Sequence, residues 1–340
     1  MDSLTPVVVA LLFLVAGIVI LTFAADHFVE GAVSVADVFN ISPVVVGALL
    51  IGFGTSLPEM LVSGVAAVQG DTDLGVGNVV GSNVANLTLV LGFAALMAVI
   101  SIDQVTRRRE LPLCLGAVLL FSLLVQDGLR RWEGALLAVA LVATLLWLLR
   151  NAHDHDLESS AQEHEGKGAM ASGIRTLLGL IGTVGGAWLL VQGGTDLADE
   201  VGLTGGFVGL TLVAIGTSLP EMVTAVVAAR KGETDLIIGN LLGSNIFNSL
   251  AVGAVLGLVG PGPLEDNNLA GLATYIMIGV VLVAAMFLYT GGRVVRWQAV
   301  ALLLIYLVTM PFTISTTADC AEEREAQECV EAVALALPGG

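Results

Sequence analysis

Lysine is almost missing from this 340-residue chain, with Lys167 and Lys231 its only examples. Thirteen Lys and Arg stand against 30 Asp and Glu, and a net charge of −17 excludes nucleic acid as a natural partner. Three cysteines and four histidines are too few and too scattered for a disulfide scaffold or a zinc ribbon. Charged residues make up only 13% of the chain, which excludes an ordinary soluble domain. Hydrophobic residues fill the space instead, at 56% with a mean hydropathy of +0.92.

A membrane-spanning helix needs roughly 20 mostly apolar residues. Ten candidates begin near Pro6, Val44, Leu74, Leu111, Trp132, Gly173, Gly205, Leu236, Leu272 and Trp297. The expected fold is therefore an all-α polytopic membrane protein. The first apolar run carries Asp2 where a signal peptide would be basic and continues to about Phe23, so it reads as a retained span.

The chain also says one thing twice. Residues 54–86 (GTSLPEMLVSGVAAVQGDTDLGVGNVVGSNVAN) align without a gap to 216–248 (GTSLPEMVTAVVAARKGETDLIIGNLLGSNIFN), and 20 of the 33 positions are identical. With ten spans, five separate the copies, so they enter the membrane in opposite directions. Polar, glycine-broken segments in matching places of two halves point to an ion or substrate site at the midplane.

The organisation follows: residues 1–149 form a first five-helix unit, 150–171 a polar linker, 172–314 a second unit and 315–340 an acidic tail. With the N-terminus outside, the inner loops hold Arg107, Arg108, Arg109, Arg150, Lys167, Arg175, Arg230, Lys231, Arg293 and Arg296, whereas the outer side holds only Arg130, Arg131 and Arg324. The excess of basic residues inside places both termini extracytoplasmic and the linker cytoplasmic. Cys320 and Cys329 then lie where a disulfide is possible, although two unrelated thiols fit the spacing equally well. Cys114 reads as an inert packing residue of the fourth span. His153, Asp154, His155 and His164 match no metal-site spacing and read as a solvated linker.

Each GTSLPE places a Pro and a carboxylate inside a span. The Pro removes a backbone donor and crowds the preceding turn, so the helices should break at Gly54–Pro58 and Gly216–Pro220 and free carbonyl groups there. With the hydroxyls of Thr55, Ser56, Thr217 and Ser218, those carbonyls make a lining suited to hard cations. Ser56-x-x-Glu59 and Ser218-x-x-Glu221 are also capping-box patterns. Magnitudes decide between the readings: an acidic residue at mid-bilayer costs about 2.5–3.5 kcal/mol, while a cap contributes roughly 1 kcal/mol. A functional role for Glu59 and Glu221 is the better account.

In the second element, Ser82 and Asn86 share one helix face, as do Ser244 and Asn248. Asn78, Asn83, Asn240 and Asn245 either join them or only cap broken helices or bond between spans, and Gly77, Gly81, Gly239 and Gly243 allow close helix approach. Antiparallel pairing of the copies would bring Glu59 and Glu221 together, a charge of −2 that a divalent cation satisfies. Oxygen-only ligands favour Ca²⁺ or Na⁺ over zinc or copper.

Paired GTSLPE and GNxxGSNxxN segments in an inverted five-plus-five arrangement resemble the α-repeats of the cation/calcium exchanger superfamily, most of all the prokaryotic sodium/calcium exchangers. The resemblance implies antiport of Ca²⁺ for Na⁺ by alternating access in the cell membrane, with no enzyme activity, no cofactor and no obligate protein partner. It also implies Ca²⁺ ligation by Glu59 and Glu221 with the carbonyls of Thr55 and Thr217, and flanking Na⁺ sites lined by Ser56, Ser82, Ser218 and Ser244. Asn86 and Asn248 would sit at the centre, where some relatives carry one Asp. The first and sixth spans would slide across the core, the sixth being rich in Gly179, Gly182, Gly185 and Gly186. Coupling to H⁺, since a buried carboxylate can carry a proton, or to K⁺ is the alternative. A passive channel or an intramembrane enzyme stands behind both.

Overall fold

The structure, a computed structural model, describes residues 4–70, 72–151, 169–200, 216–264, 266 and 268–310. Twelve helices are named here in chain order: α1 (Leu4–Phe39), α2 (Pro43–Thr55), α3 (Leu57–Gln69), α4 (Thr72–Met97), α5 (Gln104–Arg108), α6 (Glu110–Leu124), α7 (Arg131–Arg150), α8 (Ala169–Glu200), α9 (Leu219–Lys231), α10 (Thr234–Val259), α11 (Leu269–Gly291) and α12 (Arg296–Met310). Among the described residues, seven helical stretches are long and apolar enough to cross a membrane, and the bent pair α2–α3 makes an eighth. α12 is a shorter apolar helix. The span expected from Gly205 begins outside the described residues, as do the histidines of the linker and both tail cysteines.

Burial is inverted relative to a soluble protein. Large apolar side chains such as Leu61, Leu123 and Phe23 are about two-thirds exposed or more, while Thr55, Ser56, Glu59, Glu221 and Asn248 are buried. Water cannot be the solvent around such a bundle. At 36 residues α1 is roughly 54 Å long, well beyond an apolar layer of about 30 Å.

The repeat seen in the sequence recurs in the backbone. The helix breaks at Ser56 (φ −81°, ψ 4°) and at Ser218 (φ −87°, ψ 4°), and α2 meets α3 at 48°. Both following helices end on a left-handed glycine, Gly70 (φ 77°) and Gly232 (φ 81°), where a Cβ would be strained. Both later helices pass through a wide π turn, Asn86–Val90 in α4 and Phe247–Val252 in α10. A π turn inside an α-helix frequently marks a functional site. The two copies are inverted, and their helices interleave in one core.

α10 presses backbone to backbone on α2. A Cβ at Gly239 would lie 2.1 Å from the Val44 carbonyl oxygen, and one at Gly243 would lie 2.4 Å from that of Ala48. The matching residues Gly77 and Gly81 stand on α4, whose counterpart of α2 falls largely outside the described residues. α1 and α8 pack along each other, with Gly179, Gly182 and Gly186 against Phe28, Ala24 and Leu21, whereas Gly185 touches nothing. Lys231, at the end of α9, bonds Asp26 and Glu30 on α1 at 2.8 Å each, and Arg175 on α8 pairs with Glu30. Loops are tied in pairs: Ile100–Ser101 pairs antiparallel with Arg293–Val294, and Leu129 exchanges backbone bonds with Gly262.

Candidate functional site

The four repeat helices α3, α4, α9 and α10 converge with α2 on a polar centre inside the apolar bundle. Each glutamate occupies the first turn of its helix, where free N–H groups and the helix dipole favour a carboxylate. Pro58 and Pro220 are tolerated there because the first helical residues have no intrahelical N–H bond to lose. The break therefore turns each carboxylate inward at the point where its helix begins.

The serines do not cap their own helices, as the capping-box pattern would have them do. Instead Ser56 Oγ donates to Glu221 Oε1 at 3.3 Å, and Ser218 Oγ donates to Glu59 Oε1 at 3.5 Å. Thr217 also faces Glu59, and Thr55 and Ser244 face Glu221. Hydroxyls of one repeat thus reach the carboxylate of the other, joined at Glu221 by Ser244 of its own repeat, and the two glutamates come together across the pseudo-twofold relation.

Around this pair the amides are held unequally. Asn240 Oδ1 accepts from Thr55 Oγ1 (3.2 Å) and Ser244 Oγ (3.4 Å), and its Nδ2 donates to Thr224 Oγ1 (3.4 Å). Ser244 Oγ also donates to the Gly52 carbonyl at 3.2 Å. Asn78 Nδ2 donates to the Glu59 carbonyl (3.1 Å) and to Ser63 Oγ (2.8 Å). Asn78 and Asn240 therefore bond between spans. Ser82, Asn86 and Asn248 are buried on the same helices.

Ser63 and Thr224 were not among the residues expected to matter. They do not occupy matching places in the two copies, so comparing the repeats could not flag them.

Among the buried side-chain atoms without a hydrogen-bond partner, which include Asn83 Oδ1, Asn245 Nδ2 and Asn248 Nδ2, four oxygens belong to the glutamates and the central asparagines: Glu59 Oε2, Glu221 Oε2, Asn86 Oδ1 and Asn248 Oδ1. Buried polar atoms are otherwise almost always satisfied, and each exception needs an explanation. All four are acceptors, from two carboxylates and two amides. No His, Cys or third acidic residue joins them in a metal-binding cluster among the described residues. Such an oxygen set suits a hard cation.

The family described as sodium/calcium exchanger protein matches residues 9–150 and 172–315. The chain is 38% identical over 295 residues to the putative antiporter CaxA of Alkalimonas amylolytica, covering 85% of this chain and 92% of that protein. It is 30% identical over 341 residues to the sodium/calcium exchanger MaX1 of Methanosarcina acetivorans, covering 88% and 97%. A solved structure of the sodium-calcium exchanger NCX_Mj, soaked with Na⁺ and Sr²⁺, superposes with a TM-score of 0.80 at 29% identity, covering 89% of this chain and 98% of that one. Inverted repeats, a polar centre and matches across both halves lead to one assignment: the chain belongs to the sodium/calcium exchanger family and is a transporter, not an enzyme.

Proposed function

We propose that this protein exchanges Ca²⁺ for Na⁺ across the cell membrane by alternating access, at a central site built on Glu59 and Glu221. The observation that carries this reading is the set of four buried oxygens without donors, two of them on carboxylates that share one centre. Two carboxylates supply −2, the charge that one Ca²⁺ balances. The Thr55 and Thr217 carbonyls would complete that site, while Ser56, Ser82, Ser218 and Ser244 would hold Na⁺ beside it. α1 and α8, packed as a pair against the core, would slide to expose the site on either side in turn. The relatives named sodium/calcium exchanger support Na⁺ as the driving ion.

Counterflow tests the assignment. In proteoliposomes loaded with Na⁺, K⁺ or acid, Ca²⁺ uptake should follow the Na⁺ gradient alone. Uptake driven equally by H⁺ or K⁺, or proceeding with no opposing gradient, overturns Na⁺-coupled exchange.

Both termini would face out of the cytoplasm, with 150–171 as the cytoplasmic linker between units 1–149 and 172–314. Ser159→Cys should resist a membrane-impermeant thiol reagent in intact cells, while Cys320 and Cys329, once reduced, should react. Cys114 is buried and stays silent. Labelling with the opposite sidedness would reverse the topology.

With Asn at both 86 and 248, the centre gains no third carboxylate. Asn248→Asp adds an acceptor charge where the Asn248 side chain has no hydrogen-bond partner. It should lower the Na⁺ concentration for half-maximal transport and slow ion release, with the gain fading as pH falls and the new carboxylate takes a proton. A variant matching wild type against both Na⁺ and pH would remove position 248 from the ion path.

A further inference from the structure

Asn86 makes one side-chain hydrogen bond, which sets which way its amide points relative to that of Asn245. Its Nδ2 donates to Asn245 Oδ1 at 3.2 Å, across from α4 to α10, and its Oδ1 has no partner. The two ends of an amide are chemically opposite, one an acceptor and the other a pair of donors. Turned by half a rotation, Asn86 would offer N–H groups where its oxygen now sits, and a cation would meet the positive end of the dipole. The Asn245 oxygen favours one of the two orientations, because it can accept a hydrogen bond but cannot donate one.

Asn245 is itself fully buried, with the Cys114 side chain lying against it, and its own Nδ2 has no hydrogen-bond partner. The matching residue of the first repeat does something else. Asn83 Nδ2 donates to Ser249 Oγ at 3.0 Å and to Met277 Sδ at 3.4 Å, and neither side-chain end of Asn248 has a partner. One central amide is anchored and its counterpart is not.

We propose that Asn245 is a positioning residue: by accepting the Asn86 N–H it aims Asn86 Oδ1 at the transported ions, so that an amide acts at position 86 as an oxygen donor. This role rests on the exchange reading above. It makes the two central asparagines functionally unequal, with position 86 preset and position 248 free to adjust.

The test is a double-mutant cycle in proteoliposomes, reading KM for Ca²⁺ and maximal rate under a fixed Na⁺ gradient. Asn245→Leu keeps the branched heavy-atom skeleton and removes the acceptor. It should raise KM about tenfold, about 1.4 kcal/mol, with the maximal rate within about twofold of wild type, because the change is in ion binding. In the Asn86→Asp background both ends of residue 86 are oxygens and no orientation has to be chosen, so adding Asn245→Leu should leave KM where Asn86→Asp put it.

An unchanged KM in Asn245→Leu overturns the proposal, and so does a rise of equal size in both backgrounds. If the leucine variant does not assemble, Asn245→Ala is read in the same cycle by the same criteria. Wild-type protein that moves no Ca²⁺ under any gradient would overturn the exchange reading and this role with it. Exchange by wild type alongside an insensitive Asn245→Leu would overturn only the positioning role.

Discussion

Replacing Glu221 by Gln is expected to abolish Ca²⁺ transport, and Glu59→Gln to do the same, while both proteins still insert and assemble. Glutamine keeps the side-chain shape and an oxygen for Ser56 or Ser218 to donate to, so packing is preserved. What disappears is half the charge. Two unit charges about 4 Å apart attract by roughly 4 kcal/mol at an effective dielectric near 20, and a divalent ion doubles that. If easier desolvation returns half, a loss of about 4 kcal/mol remains, on the order of 1,000-fold in affinity. Ca²⁺ uptake by proteoliposomes of matched protein content measures it. Near-normal exchange in either variant would sink the assignment of the glutamates.

Gly239→Ala is expected to be strongly destabilising. Its Cβ would fall 2.1 Å from the Val44 carbonyl oxygen and 2.9 Å from the Ala48 nitrogen, and backbone cannot step aside as a side chain can. α10 and α2 would have to part, stretching the Thr55–Asn240 and Ser244–Gly52 hydrogen bonds that cross the same seam. Overpacking of this kind costs about 1–3 kcal/mol, enough to lower the melting temperature of a 340-residue chain by roughly 2–4 °C. Gly64→Ala is the control, because its Cβ would meet nothing within 4 Å and alanine favours the helix. Equal melting temperatures for the two variants would show that the α2–α10 contact does not limit stability.

Much of this was legible in the sequence because the two copies share their special residues. A Pro two residues into a helix must break a longer one, and a glycine after it must end it, so the breaks at Ser56 and Ser218 and the ends at Gly70 and Gly232 could be read locally. The partners could not. Ser56 and Glu221 lie 165 positions apart, and sequence spacing says nothing about whether a serine bonds its own helix or the other repeat. Side-chain chemistry hid the asymmetry too, since Asn83 and Asn245 are the same residue in the same motif yet take different partners. The π turns left no periodic signal, and hydropathy alone merges α2 and α3 into one span.

The crossed serine–glutamate bonds have a consequence for how such a protein is built. Apart from Ser244 beside Glu221, the hydroxyls around each carboxylate come from the other repeat, so a half folding by itself would leave an acidic side chain in the bilayer short of hydroxyl partners. Docking the second half relieves that penalty. The polar centre thereby acts as a recognition code between the halves, favouring the one interleaved arrangement over the many that apolar faces alone would permit, before any ion is carried.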